Sequence, residues 1–262
     1  MPKCGILAGY GDLPIRLEER LKRQNKQYKI YDLNAKNALP LGQVKRFVDA
    51  LQADGITHIV MAGTIKRPSL LKMRPDLRAM VILFKNWSRI QGDDGLLRVV
   101  ASELEKDGIT VIGVHDILPE LFAPDGYINE TRMIDFARYQ KAFRSLYKHM
   151  QGDFGQALVQ CGDDIFLEDR RGTDALIQKA KACDRHQQKL LLKLKKPQQD
   201  MRFDLPTVGI RTLEMMKISG IDQLIIEAGG VLILDQERFK EKAEEYKITV
   251  YGMTVEEYER YL

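Results

Sequence analysis

Cysteine is scarce in this chain. Its 262 residues include three, Cys4, Cys161 and Cys183. An odd, widely spaced set without zinc-ligand spacing excludes a disulfide framework and points to free thiols in a reducing cytoplasm. No stretch reaches the roughly 18 apolar residues of a membrane span, so any membrane contact is expected to be peripheral. The start, MPKCGILAGYG, has one lysine and a short apolar run ending in glycines, unlike a secretory signal. Net charge is small, +4 from 41 basic and 37 acidic residues, too weak by itself to argue for a nucleic-acid partner. There is no fixed-period repeat and no low-complexity tract. What is present is the composition of a soluble globular protein, 44% hydrophobic and 30% charged, in a chain long enough to bury a core in one large or two small domains.

The pattern alternates. KCGILAG reads as a buried strand, PIRLEERLKRQ as an amphipathic helix, and QYKIYDL as a strand. LGQVKRFVDALQADG is a helix closed by Gly55, and ITHIVMAG is a strand. RPDLRAMVILFKNWSRI and DDGLLRVVASELEKDG read as helices, followed by the strand ITVIGV. Such alternation implies parallel strands with right-handed crossovers, a Rossmann-like sheet. After FAPDGYI the pattern changes. MIDFARYQKAFRSLYKHM predicts a long helix. QALVQC and DIFLED predict a hairpin turning at Gly162-Asp163. RGTDALIQKAKAC, TLEMMKISG and QERFKEKAEEY predict helices, while KLLLKLKK, ITVYGM and the two halves of IDQLIIEAGGVLILD predict strands. The fold class is therefore α/β in two domains: residues 1–130, with a parallel sheet, and residues 131–262, with a mixed one.

Three constellations suit chemistry. In GILAGYGDLP a strand runs into Gly9-Tyr10-Gly11 and a helix begun by Pro14. Glycines let backbone approach a phosphate, and a helix N-terminus favours anions. Asp32 stands where a dinucleotide fold holds a ribose acid, but Pro14 replaces the third glycine of G-x-G-x-x-G. In MAGTIKRP, Gly63 and Thr64 end a strand, and Lys66 and Arg67 follow at a sheet edge where open α/β sheets bind ligands. In KLLLKLKKPQQDMRFDLPTVG, Lys189, Lys193 and Lys195 alternate with leucines, and Asp200 and Asp204 bracket Arg202. Lysines on one strand face beside two acids would hold a charged substrate and a hard cation. An Asp–Arg–Asp ion-pair ladder is the plainer reading of the same spacing.

These stretches resemble the LpxI family. GILAGYGDLP, MAGTIKRP, GDDGLL, GVHDILPELFAPDGYI, GQALV, RGTDALI, KLKKPQQDMRFDLPTVG and IIEAGGVLILD occur there in the same order, over nearly the whole chain. The resemblance implies two α/β domains with substrate held in the cleft between them. The implied activity is hydrolysis of UDP-2,3-diacylglucosamine to UMP and 2,3-diacylglucosamine 1-phosphate (lipid X) in lipid A biosynthesis. It implies a divalent metal, Mg²⁺ or Mn²⁺, with Asp204 or Asp200 at the essential acidic position and both as metal ligands. Gly9, Tyr10 and Gly11 match the first glycine loop, with Gly63, Thr64, Lys66 and Arg67 as further substrate contacts. Thr173 and Asp174 match the Gly-Thr-Asp loop. Lys193, Gln199, Arg202 and Glu227 complete the substrate-binding set. The implied partners are the acylated UDP-sugar, lipid X, the inner-membrane surface on its cytoplasmic side and a possible homodimer, without nucleic acid.

Two departures stand out. Arg171 replaces the glutamate that usually precedes Gly-Thr-Asp, and Gln198 replaces the glycine of Lys-Pro-Gly-Gln-Asp. The Met- and Leu-rich run SLLKMRPDLRAMVILF is a candidate trough for acyl chains. Outside the hydrolase reading stand a nicotinamide-dependent oxidoreductase, which Pro14 argues against, and a non-catalytic binder of a nucleotide-sugar or lipid, which turnover would separate.

Overall fold

A computed structural model describes residues 2–35, 38, 42–64, 75–86, 93–129, 132–152, 154–184, 186–203 and 205–262. The chain forms two compact units. The first is Met1–Glu120 with Asp200–Asp204, and the second is Leu121–Gln199 with Leu205–Leu262.

In the first unit, β1 (Cys4–Ala8), β2 (Tyr28–Asp32), β3 (His58–Ala62) and β4 (Thr110–Ile112) form a parallel sheet in the order β2-β1-β3-β4. β1 is buried throughout, as its unbroken small and apolar run requires of a central parallel strand. Helices α1 (Leu13–Arg23), α2 (Val44–Ala53), α3 (Leu77–Lys85) and α4 (Asp93–Lys106) belong to this unit. Leu51 of α2 and Ala101 and Leu104 of α4 join Leu7, Ile59 and Val111 in one core. Phe203, distant in sequence, is buried in that same core.

The second unit ends the first earlier than the boundary expected near residue 130. The backbone N–H of Ala123 donates to Val231 O (2.8 Å), and β5 (Gly126–Tyr127) pairs with β12 (Thr249–Met253). The PDG turn is thus stitched to the later strands. The sheet runs β5-β12-β10-β8-β6-β7. β8 (Lys189–Lys193), β10 (Gln223–Glu227) and β12 are parallel. β6 (Ala157–Cys161) runs antiparallel to β8 and to its hairpin partner β7 (Asp164–Leu167), as Gly162-Asp163 foretells.

Apolar layers cover both faces of this sheet. On one lie α6 (Gly172–Lys179), α7 (Ile210–Ser219) and α8 (Gln236–Tyr246), through Leu176, Ile177, Leu213, Met216, Phe239 and Ala243. On the other lie α5 (Gln140–Gln151) and α9 (Val255–Glu259), through Phe143, Leu146, Met150 and Tyr258. The long helix expected from Met133 is a 3₁₀ turn at Phe136–Tyr139 followed by α5. A separate two-stranded sheet joins β9 (Thr207–Val208) to β11 (Leu232–Ile233), so the strand after Gly229-Gly230 leaves the main sheet. The three cysteines are free. Burial pushes the thiols of Cys4 up to about 11 and Cys161 up to about 12, which keeps them protonated and inert.

Candidate active site

The sheet order of the first unit reverses between β1 and β3, since β1 leads through α1 to β2 on one side while β3 lies on the other. Ligands of open α/β sheets bind outside the carboxyl ends of strands at such a point. Both glycine loops are there. Gly9 N–H donates to Ala62 O, and Tyr10 and Thr64 exchange two backbone hydrogen bonds, all at 2.8 Å. The glycines make this crossing possible. A Cβ on Gly9 would lie 2.7 Å from Thr64 O, and one on Gly63, at φ +87°, would lie 2.6 Å from Tyr10 O. Gly11 differs: φ is +112°, and a Cβ there would meet nothing within 4 Å. It leaves open space before the N-terminus of α1, beside the half-exposed ring of Tyr10. Asp32 caps its own turn, its Oδ1 accepting from Asn34 N–H (2.8 Å). Lys66 and Arg67 lie outside the described residues.

The Asp200–Phe203 turn belongs to this unit. Arg202 grips Asp200 by two edges. Its Nε donates to Oδ1 (3.0 Å) and its Nη2 to Oδ2 (2.8 Å), while its backbone N–H also donates to Oδ1 (3.0 Å). Nη1 reaches Glu105 Oε1 of α4 (2.6 Å). The guanidinium holds the Asp200 carboxyl below its usual range, chiefly through these hydrogen bonds. Half of the ion-pair ladder weighed from sequence is therefore present at the surface, beside Phe203, which is buried in the core. Asp204 lies outside the described residues. Both Asp200 oxygens accept from Arg202, and among the described residues no group of three or more His, Cys, Asp or Glu makes a metal cage.

In the second unit the polar groups gather at the carboxyl end of β8. The buried Lys193 Nζ donates to Thr173 Oγ1 (3.2 Å) and Thr207 O (3.0 Å). Thr173 Oγ1 donates in turn to Glu168 Oε1 (2.6 Å), whose other oxygen accepts from Gln156 N–H (2.8 Å). A buried ammonium, a hydroxyl and the first turn of α6 thus share one place, an arrangement suited to anionic oxygen. Sequence reasoning named Lys193 and Thr173 but not Glu168. The signal was the second-last residue of DIFLED, an acid four residues before Gly-Thr-Asp. Asp174, next in line, pairs outward with Arg211 (2.8 Å).

The expected lysine-lined surface is not there. β8 is a central strand buried on both faces. Lys189 Nζ donates to the carbonyls of Ala180 (2.8 Å), Cys183 (3.3 Å) and Ser219 (3.4 Å). It ties down the ends of two helical segments and cannot meet a substrate. Glu227 ends β10 on the face opposite Lys193, since Ile226 is the residue registered with Lys193. Glu227 is buried, accepts from Lys195 N–H (3.1 Å) and lies so close to Gly230 that a Cβ there would sit 2.3 Å from Oε1. Burial raises its pKa, with Lys195 opposing. Gln199, also buried, closes a turn by donating its N–H to Lys196 O (3.0 Å) and accepting at Oε1 from Lys196 N–H (3.4 Å).

Comparison with known proteins covers both units. Residues 3–121 match the LpxI N-terminal domain and residues 127–251 the LpxI C-terminal domain. The chain belongs to the LpxI family. It is similar to the UDP-2,3-diacylglucosamine pyrophosphatase LpxI of Caulobacter vibrioides, with 28% identity over 278 positions covering 98% of this chain and 99% of that protein.

Both departures from the family pattern have local explanations. Arg171 turns back onto Asp169, with Nε donating to Oδ1 (3.0 Å) and Nη2 to Oδ2 (2.6 Å). That contact holds the Asp169 carboxyl far below its usual range. The new positive charge is thus cancelled one turn from Thr173. Gln198 lies in the turn closed by Gln199 and is absent from the non-glycine residues with positive φ. The backbone there does not need glycine, and the side chain donates to Met150 O (3.3 Å).

Proposed function

We propose that this chain hydrolyses the phosphoanhydride of UDP-2,3-diacylglucosamine, releasing UMP and 2,3-diacylglucosamine 1-phosphate, a step of lipid A biosynthesis. The observation that carries the reading is similarity, over 98% of the chain, to a protein named for that pyrophosphatase activity. The geometry is compatible with it. Breaking a phosphoanhydride builds charge on bridging and leaving oxygens, which fixed cations and N–H groups stabilise in a water-poor site. The buried Lys193 ammonium, braced by Thr173 and Thr207, is pre-organised for that task. The crossing of the two glycine loops leaves Gly11 and the start of α1 for nucleotide phosphate.

A divalent cation, Mg²⁺ or Mn²⁺, belongs to the reading through the family resemblance. It would supply charge neutralisation at the phosphates. Asp200 would hold such a cation only in competition with Arg202, which donates to both of its oxygens. Asp204 takes the role of the essential acid, and Asp200 with Arg202 sets the turn that precedes it. A diacylated substrate places the work at a membrane surface, and no described helix is long and apolar enough to cross one.

The test is UMP release from UDP-2,3-diacylglucosamine by the purified chain, with and without chelator. Release that stops with chelator and returns with Mg²⁺ is expected. No release under any metal condition overturns the hydrolase reading, and chelator-resistant release removes the metal from it.

A further inference from the structure

Three residues of the second unit stand in one row across the sheet. Lys193 of β8 is registered with Ala157 of β6. Leu158 pairs with Leu167, so Glu168, the next residue beyond β7, stands opposite Ala157. Its N–H donates to Ala157 O (3.0 Å). Registered neighbours point to the same face of a sheet. Lys193 and Glu168 therefore share a face, with only the small, buried Ala157 between them. Both charged side chains belong to residues more than nine-tenths buried, Lys193 at 7% and Glu168 at 8% exposed. The Thr173 hydroxyl bridges them.

The polarity of this bridge is fixed. An ammonium only donates and a carboxylate only accepts. With Lys193 Nζ donating to Thr173 Oγ1 (3.2 Å), the single hydroxyl proton goes to Glu168 Oε1 (2.6 Å). Glu168 is itself held at every polar atom. Its Oε2 accepts from Gln156 N–H (2.8 Å), and its carbonyl oxygen accepts from His149 Nε2 (2.7 Å). Gly155 makes room for it, since a Cβ there would lie 2.9 Å from both the Cβ and the carbonyl oxygen of Glu168. A carboxylate pinned on all sides leaves the hydroxyl one orientation, and the hydroxyl in turn sets where the ammonium sits.

We propose that Glu168 is a positioning residue of this site: it fixes the Thr173 hydroxyl and, through it, aims the Lys193 ammonium at an anionic oxygen of the substrate. The identity of that substrate rests on the hydrolase reading. Coulomb's law alone predicts the opposite effect, because a nearby carboxylate opposes a bound anion. Glu168→Gln separates the two. The amide keeps the size of the side chain but has one accepting and one donating end, so it cannot reproduce the contacts to Thr173 and to Gln156 N–H together.

The test uses the full chain and two readouts, UMP release from UDP-2,3-diacylglucosamine and binding of inorganic phosphate followed by phosphorus NMR line broadening. Glu168→Gln is expected to lower kcat/KM at least about tenfold, chiefly in kcat, and to weaken phosphate binding. In a Thr173→Val background the same substitution should cost nothing further, because its effect passes through the hydroxyl. A mere prop for the end of β7 would cost the same in both backgrounds. Gly155→Ala displaces the carboxylate without altering its charge and should lower the rate likewise, which keeps the test if Glu168→Gln does not fold. A wild-type rate in either variant overturns the proposal, as does tighter phosphate binding by Glu168→Gln or an equal loss in the Thr173→Val background. A wild type that releases no UMP but loses phosphate affinity with Glu168→Gln removes the hydrolase reading and leaves the positioning role standing. A wild type that neither releases UMP nor binds phosphate overturns both.

Discussion

Lys189 and Lys193 share a strand and a face but have different tasks. The first spends its donors on three helix-end carbonyls, and the second is braced at the strand's carboxyl end beside a helix start. Position along the strand separates a structural cation from a candidate catalytic one. Asp204→Ala is expected to lower turnover by roughly 10²–10⁴ while substrate binding persists, the loss typical of removing an acid that orients water or charge. Steady-state rates and a binding isotherm measure both halves. A variant with near wild-type turnover would move the role to Asp200. Glu227 gives a pH prediction. Its pKa is raised by burial, so the stability it contributes is fully present below the ordinary glutamate value of about 4.3 and is lost as pH rises through the raised one. Glu227→Gln should therefore gain stability relative to wild type as pH rises, and parallel melting profiles from acid to neutral pH would contradict this.

At the scale of elements, the crossing of the β1 and β3 loops is a backbone device. Gly63→Ala meets both a positive φ and Tyr10 O at 2.6 Å. It should cost about 1–3 kcal/mol from the strained backbone alone, and more with the clash. Gly11→Ala faces only the backbone cost, since its Cβ enters open space. Urea melts should rank Gly63→Ala as the more damaging, and the reverse order would show that the crossing is not what requires glycine.

At the scale of the molecule, the Asp200–Asp204 segment counts most. It lies in the second half of the sequence and packs with the first unit, where Phe203 is buried among Leu7, Leu51, Ile59 and Leu104. Phe203→Ala should cost about 3–5 kcal/mol, as expected for truncating a core aromatic. Amide exchange locates the loss. Protection should fall in Cys4–Ala8 and His58–Ala62 and hold in Lys189–Lys193 and Gln223–Glu227. Loss confined to the latter strands would mean that Phe203 stabilises the second unit instead.

By itself the sequence determined the local elements and their class. Alternating apolar runs and glycine stops specify strands and helices through periods of 2 and 3.6 and through backbone permissiveness, which neighbours in sequence carry. The hairpin at Gly162-Asp163, the helix stop at Gly220 and the parallel first sheet were all readable that way. What only the tertiary structure decided depends on residues far apart in the chain. Lys189 looked like surface because alternation shows which face a side chain takes but not whether a helix covers it. Gly9 and Gly63 looked like phosphate cradles, but each is required by the other's backbone. Glu168 became visible only when the β7 end met Thr173. That Arg202 takes both oxygens of Asp200 shows only in the folded turn, and Phe203 passed for one more loop aromatic until the core of the other unit closed around it. Each of these is a contact across the chain, where packing and charge pairing choose among roles that local pattern leaves equal.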